Sequence, residues 1–283
     1  MTRVVAMVQE EGTGTSRSPR SASFTTLPWD GGRRVRSPEL HMKRLREHIN
    51  KLGLAWPDDF AEQLRAALNT LSREGATPSL DADELDDVHQ AHQPPALLRV
   101  EVNEDGGVGL VGRPCHRTGS EVTGICHPAP RYPAELQGLK HADWQAYSQA
   151  GSAAREVGAD VALLVHDDAI IDGDRATPIL LSADGIAWVS DPKLGGVHST
   201  TAEFLLPTLE AAGIPLQHGR LTATMLARSR EVVLVGSGVT AVLLTSLDGE
   251  RVGNGDSILQ PLFLKAIEEA GWVSFERWLE VVE

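Results

Sequence analysis

Alternating and helical hydrophobic patterns follow one another along the chain. From Phe24 to Val35 a short strand, a Pro-Trp-Asp-Gly-Gly turn and a second strand are predicted. Met42, Leu45, Ile49 and Leu52 then recur at helical spacing. Ser37 and Pro38 suit the start of that helix and Gly53 its end. A second helix over about 58–73 carries Phe60, Leu64, Leu68 and Leu71 on one stripe, and the acidic stretch Asp81 to Asp87 is read as a solvated helix or loop. Leu97 to Val102 and Val108 to Val111 flank a Glu-Asp-Gly-Gly turn, which predicts a hairpin.

Residues 113–136 hold several prolines and little periodicity, and are read as an inter-domain connection. Beyond them helices and strands alternate. Helices are predicted over about 142–157, 201–212 and 257–270. Strands are predicted at Val161 to Val165, near Ile170, at Pro178 to Leu181 and Ile186 to Ser190 as a hairpin, and at Val232 to Val235 and Thr240 to Leu247. The pattern implies an α/β chain, of α+β type with mixed sheets. Its expected organisation is a lead-in over 1–23, a small domain over 24–112, the connection, and a larger domain over 137–283.

Composition narrows the function classes. The formal net charge of -13 argues against bulk attraction to nucleic acid or to an anionic membrane. No apolar run reaches the roughly 20 residues of a membrane helix. Val4 to Val8 runs straight into Glu10 and Glu11, so no signal peptide is expected, and the Gly/Ser/Arg-rich residues 10–23 suggest a flexible lead-in. Cys115 and Cys126 are the two cysteines, which suits a reducing compartment, and no Cys/His spacing suggests a metal. A cytoplasmic protein with its function in a pocket is expected.

Several residues could carry chemistry there. Lys140 sits in Gly138-Leu139-Lys140-His141, just before a helix. The partial positive charge of a helix N-terminus lowers an ammonium's pKa, which favours the neutral amine that attacks a carbonyl; on position alone a solvated surface lysine is the commoner case. Asp172 opens a Gly-Asp bend and could hold a pyridine nitrogen protonated, or simply make a turn. Ser199-Thr200-Thr201 precedes a helix and could bind phosphate or merely cap it. Gly236-Ser237-Gly238 could add backbone donors. Arg44 lies off the apolar stripe of its helix and could turn inward to a phosphate or outward to water. His41, His48 and His198 stand isolated and are read as caps or surface residues.

The order of these signals resembles the fold-type IV pyridoxal-phosphate (PLP) enzymes: branched-chain and D-amino-acid aminotransferases and aminodeoxychorismate lyases. Phe24-Thr25-Thr26, Asp30-Gly31, His41-Met42-Lys43-Arg44-Leu45 and Leu52-Gly53 are similar to that family's N-terminal pattern. Leu139-Lys140-His141, a helix, and Gly158-Ala159-Asp160-Val161-Ala162-Leu163-Leu164 are similar to its lysine segment. Ser246-Leu247-Asp248-Gly249 matches its closing turn. The resemblance implies a two-domain, D-amino-acid-aminotransferase-like fold and PLP as cofactor. Lys140 would be its Schiff-base lysine and Asp172 the partner of the pyridine nitrogen. Arg44, Ser199, Thr200, Thr201, Gly236 and Ser237 would hold the phosphate. It also implies a homodimer and a small amino substrate, handled by transamination or by pyruvate elimination from aminodeoxychorismate. The family's glutamate is the shorter Asp172 here, its loop glycine is Ser199 and the arginine after that loop is Ala202. Trp144 and Gln145 stand where branched-chain enzymes carry a tyrosine. Phe24-Thr25-Thr26, Leu139-Lys140-His141 and that missing tyrosine lean toward the lyase. A non-catalytic relative keeping the fold as a binding module is the third alternative.

Overall fold

The computed structural model describes residues 17–73 and 92–282. Most of the lead-in and the acidic stretch Asp81 to Asp87 lie outside the described residues.

The first sheet is built from local hairpins. Strand β1 (Ala22–Trp29) pairs antiparallel with β2 (Arg34–Val35) and with β3 (Ala96–Asn103), and β3 pairs with β4 (Val108–Pro114). Side chains alternate inward and outward along β3 and β4, so Leu98, Val100, Val102, Val108 and Leu110 face one core. Helices α1 (Pro38–Leu52) and α2 (Phe60–Arg73) cover that face with the stripes that periodicity indicated, except that Leu52 packs with Leu136 and Leu139 instead. Gly53 ends α1 at φ 73°, a left-handed position that glycine takes without strain. Ser37 precedes Pro38 but is itself left-handed, at φ 49°, and its side chain makes no capping bond.

The second sheet is larger and mixed. Its order is β10-β9-β8-β11-β12-β5-β6-β7, with β13 (Glu250–Arg251) beside β12. The ranges are β5 Glu121–Pro128, β6 Val161–His166, β7 Ala169–Gly173, β8 Thr177–Leu181, β9 Ala187–Ser190, β10 Leu216–Gly219, β11 Glu231–Gly236 and β12 Thr240–Leu247. Helices α3 (Gln145–Glu156), α4 (Thr200–Ala211), α5 (Ala223–Ala227) and α6 (Leu259–Ala270) accompany it.

Two segments depart from the expected organisation. The proline-rich stretch 113–136 carries β5, which runs parallel to both β12 and β6 in the middle of the larger sheet. The chain also returns to the first sheet at its end. Strand β14 (Val273–Ser274) pairs with β2, and α7 (Phe275–Val282) buries Phe275, Trp278 and Val282 against the first core.

A buried carboxyl fixes the start of α6. Glu231 is 2% exposed and accepts from the N–H groups of Ile258, Leu259 and Gln260 at 2.7, 2.6 and 2.9 Å. These donors belong to the N-terminal turn, where no helical acceptor exists. Glu231→Ala strands them beneath the protein surface, and the expected loss is about 2–4 kcal/mol of unfolding free energy in urea titration.

Candidate active site

The segment around Lys140 is fastened to the first sheet on both sides. The Lys140 carbonyl accepts from the Phe24 N–H at 3.3 Å and from the Ser23 hydroxyl at 2.8 Å. The Lys140 N–H donates to Nδ1 of His48 at 3.0 Å. His48 must therefore be neutral with its proton on Nε2. Burial, with Arg44 and Lys140 nearby, depresses its pKa to about 2, which is consistent. Backbone and imidazole together place the lysine where β1, α1 and the approach to α3 meet.

Its amine is left without a polar partner. Among the described residues no hydrogen-bond or carboxylate partner reaches Nζ, which lies 4.3 Å from the centre of the Trp144 ring and 5.0 Å from that of Phe24. Burial, then the positive charges of Arg44 and Arg99, lower its pKa to about 7 against the opposing pull of Asp172. A substantial neutral fraction therefore exists at physiological pH.

Asp172 is 5% exposed on β7. One carboxyl oxygen accepts from the Thr177 hydroxyl at 3.1 Å and the other from the Val197 N–H at 3.0 Å. Burial raises its pKa to about 6, although both hydrogen bonds and Lys140 oppose the rise. Close packing holds the loop that supplies Val197: a Cβ on Gly196 would lie 2.1 Å from the Ile171 carbonyl oxygen. Only glycine lets the backbone approach so near.

Arg44 points inward and is 4% exposed. It donates to the His198 carbonyl at 3.0 Å and to Oγ1 of Thr25 at 2.7 Å, while its buried Nε has no partner. Burial lowers its pKa to about 10, so it remains charged at neutral pH. Thr25 lies 2.8 Å from Nδ1 of His41, and Nε2 of His41 lies 3.3 Å from Oγ1 of Thr200. Because Thr25 already accepts from Arg44, the arrangement that satisfies every group has Thr25 donating to His41 and His41 donating to Thr200. That leaves the Thr200 proton free for a further acceptor.

His41 and His48 are thus buried parts of this network, not surface residues. His41, Arg44 and His48 fall at i, i+3 and i+7 of α1, a polar stripe beside the apolar one. That periodicity was present in the sequence, and so was Thr25. His198 is different: its side chain is about half exposed, and its carbonyl is the group that serves Arg44.

Thr200, Thr201, Gly236 and Ser237 line one cleft, together with His41 and Arg36. Thr200 and Thr201 open α4, and Gly236-Ser237 leaves β11. Among the described residues the N–H groups of Thr200, Thr201 and Ser237 have no acceptor. Ser199 stands apart from this set. Its hydroxyl caps α4 by accepting from the Ala202 N–H at 3.2 Å, and it lines a separate cleft of about 800 Å³ together with the rest of the 196–199 loop. Neither cleft is lined by Lys140 or Asp172.

Comparison with known proteins gives the family. The model of the amino-transferase class IV family matches residues 22–247, most of the chain. The chain belongs to that family. It is a PLP-dependent enzyme. A branched-chain aminotransferase from Thermoproteus uzoniensis is similar in structure, with TM-score 0.69 and 18% identity over 89% of this chain and 86% of that one. A hypothetical aminotransferase from Mycobacterium tuberculosis in its PLP-bound form has TM-score 0.68 and 18% identity over 93% and 95%. A candidate 4-amino-4-deoxychorismate lyase from Legionella pneumophila has TM-score 0.69 and 14% identity over 94% and 99%. A search of curated proteins finds no match. The shared fold is that of the fold-type IV enzymes.

The residues present fit the cofactor. A phosphate dianion needs converging donors, and the unpaired N–H groups of Thr200, Thr201 and Ser237 supply them, with the buried cation of Arg44 nearby. A carbonyl-bearing cofactor needs a neutral amine, and Lys140 is held without an ionic partner. Among the described residues no His, Cys, Asp or Glu cluster could hold a metal ion. No described helix is long and apolar enough to cross a membrane.

Proposed function

We propose that Lys140 is the lysine through which this enzyme holds PLP, and that it acts on a small amino substrate by elimination in the manner of an aminodeoxychorismate lyase. The single observation that carries the site is a partly buried lysine amine with no hydrogen-bond partner among the described residues, charge-coupled to the buried carboxyl of Asp172 and to Arg44. When bound, the cofactor supplies an electron sink for a carbanion at the substrate's amino carbon.

The chain's own groups do the remaining work. Thr200, Thr201 and Ser237 bind the phosphate through N–H groups and hydroxyls, and Arg44 balances its charge. Asp172 keeps a proton on the ring nitrogen. Its pKa of about 6 leaves it largely ionised at neutral pH and therefore able to attract that proton. Lys140 would move protons as general base and acid, and its pKa of about 7 suits both directions. Ser199 serves α4 and plays no direct part.

Trp144, in the turn after the lysine where branched-chain enzymes carry a tyrosine, supports elimination. Transamination is the second reading, supported by the likeness to the branched-chain aminotransferase fold. Aminodeoxychorismate incubated with enzyme and PLP, without any 2-oxo acid, distinguishes them. Elimination predicts stoichiometric pyruvate and 4-aminobenzoate. Turnover that requires a 2-oxo acid and consumes it as amino acceptor would assign transamination instead. We further propose a homodimer, with sedimentation velocity as its check.

A further inference from the structure

The rings around Lys140 form an ordered stack. Trp144 and Tyr147 lie nearly parallel, at 11° with centroids 3.8 Å apart. Phe24 meets Trp144 edge-on, at 88° and 5.2 Å. The opposite influence on Phe24 is Arg99, whose guanidinium carbon lies 3.6 Å from the ring centre, while Arg99 itself pairs with Glu101 at 2.5 Å. The Trp144 ring is therefore fixed by its neighbours before the lysine is considered. Its residue immediately precedes α3, so backbone and ring stack share one anchor.

Among the described residues Lys140 is the one charged group set over the Trp144 face, at 4.3 Å, with Phe24 at 5.0 Å. An aromatic face attracts a cation through its quadrupole, by about 0.5–2 kcal/mol depending on solvation. It offers the neutral amine no comparable attraction. Such a surface favours the ammonium, holds it in place, and releases it when the proton leaves. A carboxylate in the same place would bind the ammonium too tightly for the amine to be free near neutral pH.

We propose that Trp144 is a positioning residue whose indole face, packed with Tyr147 and Phe24, holds the Lys140 ammonium of the cofactor-free protein and so sets the pH at which the amine becomes available to take up the cofactor. The proposal rests on the reading of Lys140 as the cofactor lysine. The charged and titratable groups facing Lys140 are His41, Arg44 and His48 from α1, Arg99 from β3, and Asp172 from β7. His141 and Tyr147 also pack against Trp144, at 6.4 and 3.8 Å between ring centres, so Trp144→Phe, which keeps a ring between them, serves as the control for their displacement.

The test reads the lysine directly. The cofactor-free protein is methylated with ¹³C-formaldehyde and a mild reductant, and the methyl resonance of Lys140 is followed against pH. The resonance is assigned by its loss in Lys140→Ala. Trp144→Leu lowers its titration midpoint by about half a pH unit or more, because the ammonium loses its aromatic partner. Trp144→Phe keeps a π-face and moves the midpoint by less than half as much. Phe24→Leu gives a smaller shift in the same direction and serves if Trp144→Leu does not fold. Unchanged midpoints in Trp144→Leu and Phe24→Leu, or an equal shift in Trp144→Phe and Trp144→Leu, would overturn the proposal. The readout needs no bound PLP. A failure of Lys140 to take PLP would therefore sink the functional reading while leaving the aromatic effect measurable.

Discussion

Lys140→Met is expected to abolish turnover and at the same time to give a more stable cofactor-free protein. The first effect follows from chemistry. Methionine can neither attach the cofactor nor move a proton, and loss of a positioned acid–base alone costs on the order of 10²–10⁴-fold. With attachment lost as well, the decrease belongs at or beyond the upper end, measured as kcat/KM at saturating PLP. The second effect follows from linkage. The folded-state pKa of Lys140, about 7, lies below the ordinary lysine value. The unfolded chain therefore binds the proton more readily, and folding at lower pH carries the cost of a buried ammonium. That cost is fully present below about pH 7 and disappears as pH rises through the ordinary lysine range. Methionine has nearly the same length and no charge. The variant should gain about 1–3 kcal/mol in urea titration at pH 6.5, and the gap should close as pH is raised toward 10.

Asp172→Asn should lower turnover by about 10²–10³-fold while leaving PLP attached at Lys140. Asparagine keeps the shape of the side chain and can still accept from Thr177 or Val197, but it loses the negative charge. Nothing then holds a proton on the ring nitrogen, and the carbanion loses its stabilisation. The carboxylate also raises the Lys140 pKa, so its removal moves that pKa down. Cofactor attachment in the variant should therefore extend to lower pH than in the parent. A variant that loses the cofactor and its activity together would assign Asp172 to binding; one that keeps near-parental kcat would remove it from the chemistry.

The parts that were legible in the sequence are those governed by local periodicity. The α1 stripe, the β1–β2 turn, the β3–β4 hairpin and the alternation from Val161 onward follow from residues three or four apart, or two apart, on one face. What escaped depends on contacts distant in sequence. Glu121 to Pro128 is short, interrupted by Gly124 and followed by prolines, so nothing local marks it as a central strand. Gly124 is there because Leu244 packs against it: a Cβ at Gly124 would lie 3.1 Å from the Leu244 side chain. Leu216–Gly219 is only four residues long and earns its pairing from β9. The final helix was readable, since Phe275, Trp278 and Val282 sit at helical spacing, yet its partner is the first sheet, far away in sequence.

The candidate site divides along the same line. Lys140, Asp172 and Arg44 came from motif order, and the structure brings a partly buried Lys140 within electrostatic reach of the buried Asp172 and Arg44. Thr200, Thr201, Gly236 and Ser237 do share a cleft, while Ser199 is turned to capping. The contributions of His41 and His48 depend on tertiary hydrogen bonds to Thr25, Thr200 and the Lys140 backbone. Helical spacing could show that these histidines share a face, but not which way that face turns. The aromatic setting of Lys140 is likewise a product of three elements meeting.

The most direct test of the central claim is borohydride reduction of the enzyme mixed with PLP, followed by digestion and mass spectrometry. Borohydride should remove a visible absorption band and leave a single phosphopyridoxyl group on the peptide containing Lys140. Stable modification at Lys43, Lys51, Lys193 or Lys265 instead, or no modified peptide at saturating PLP, would contradict it.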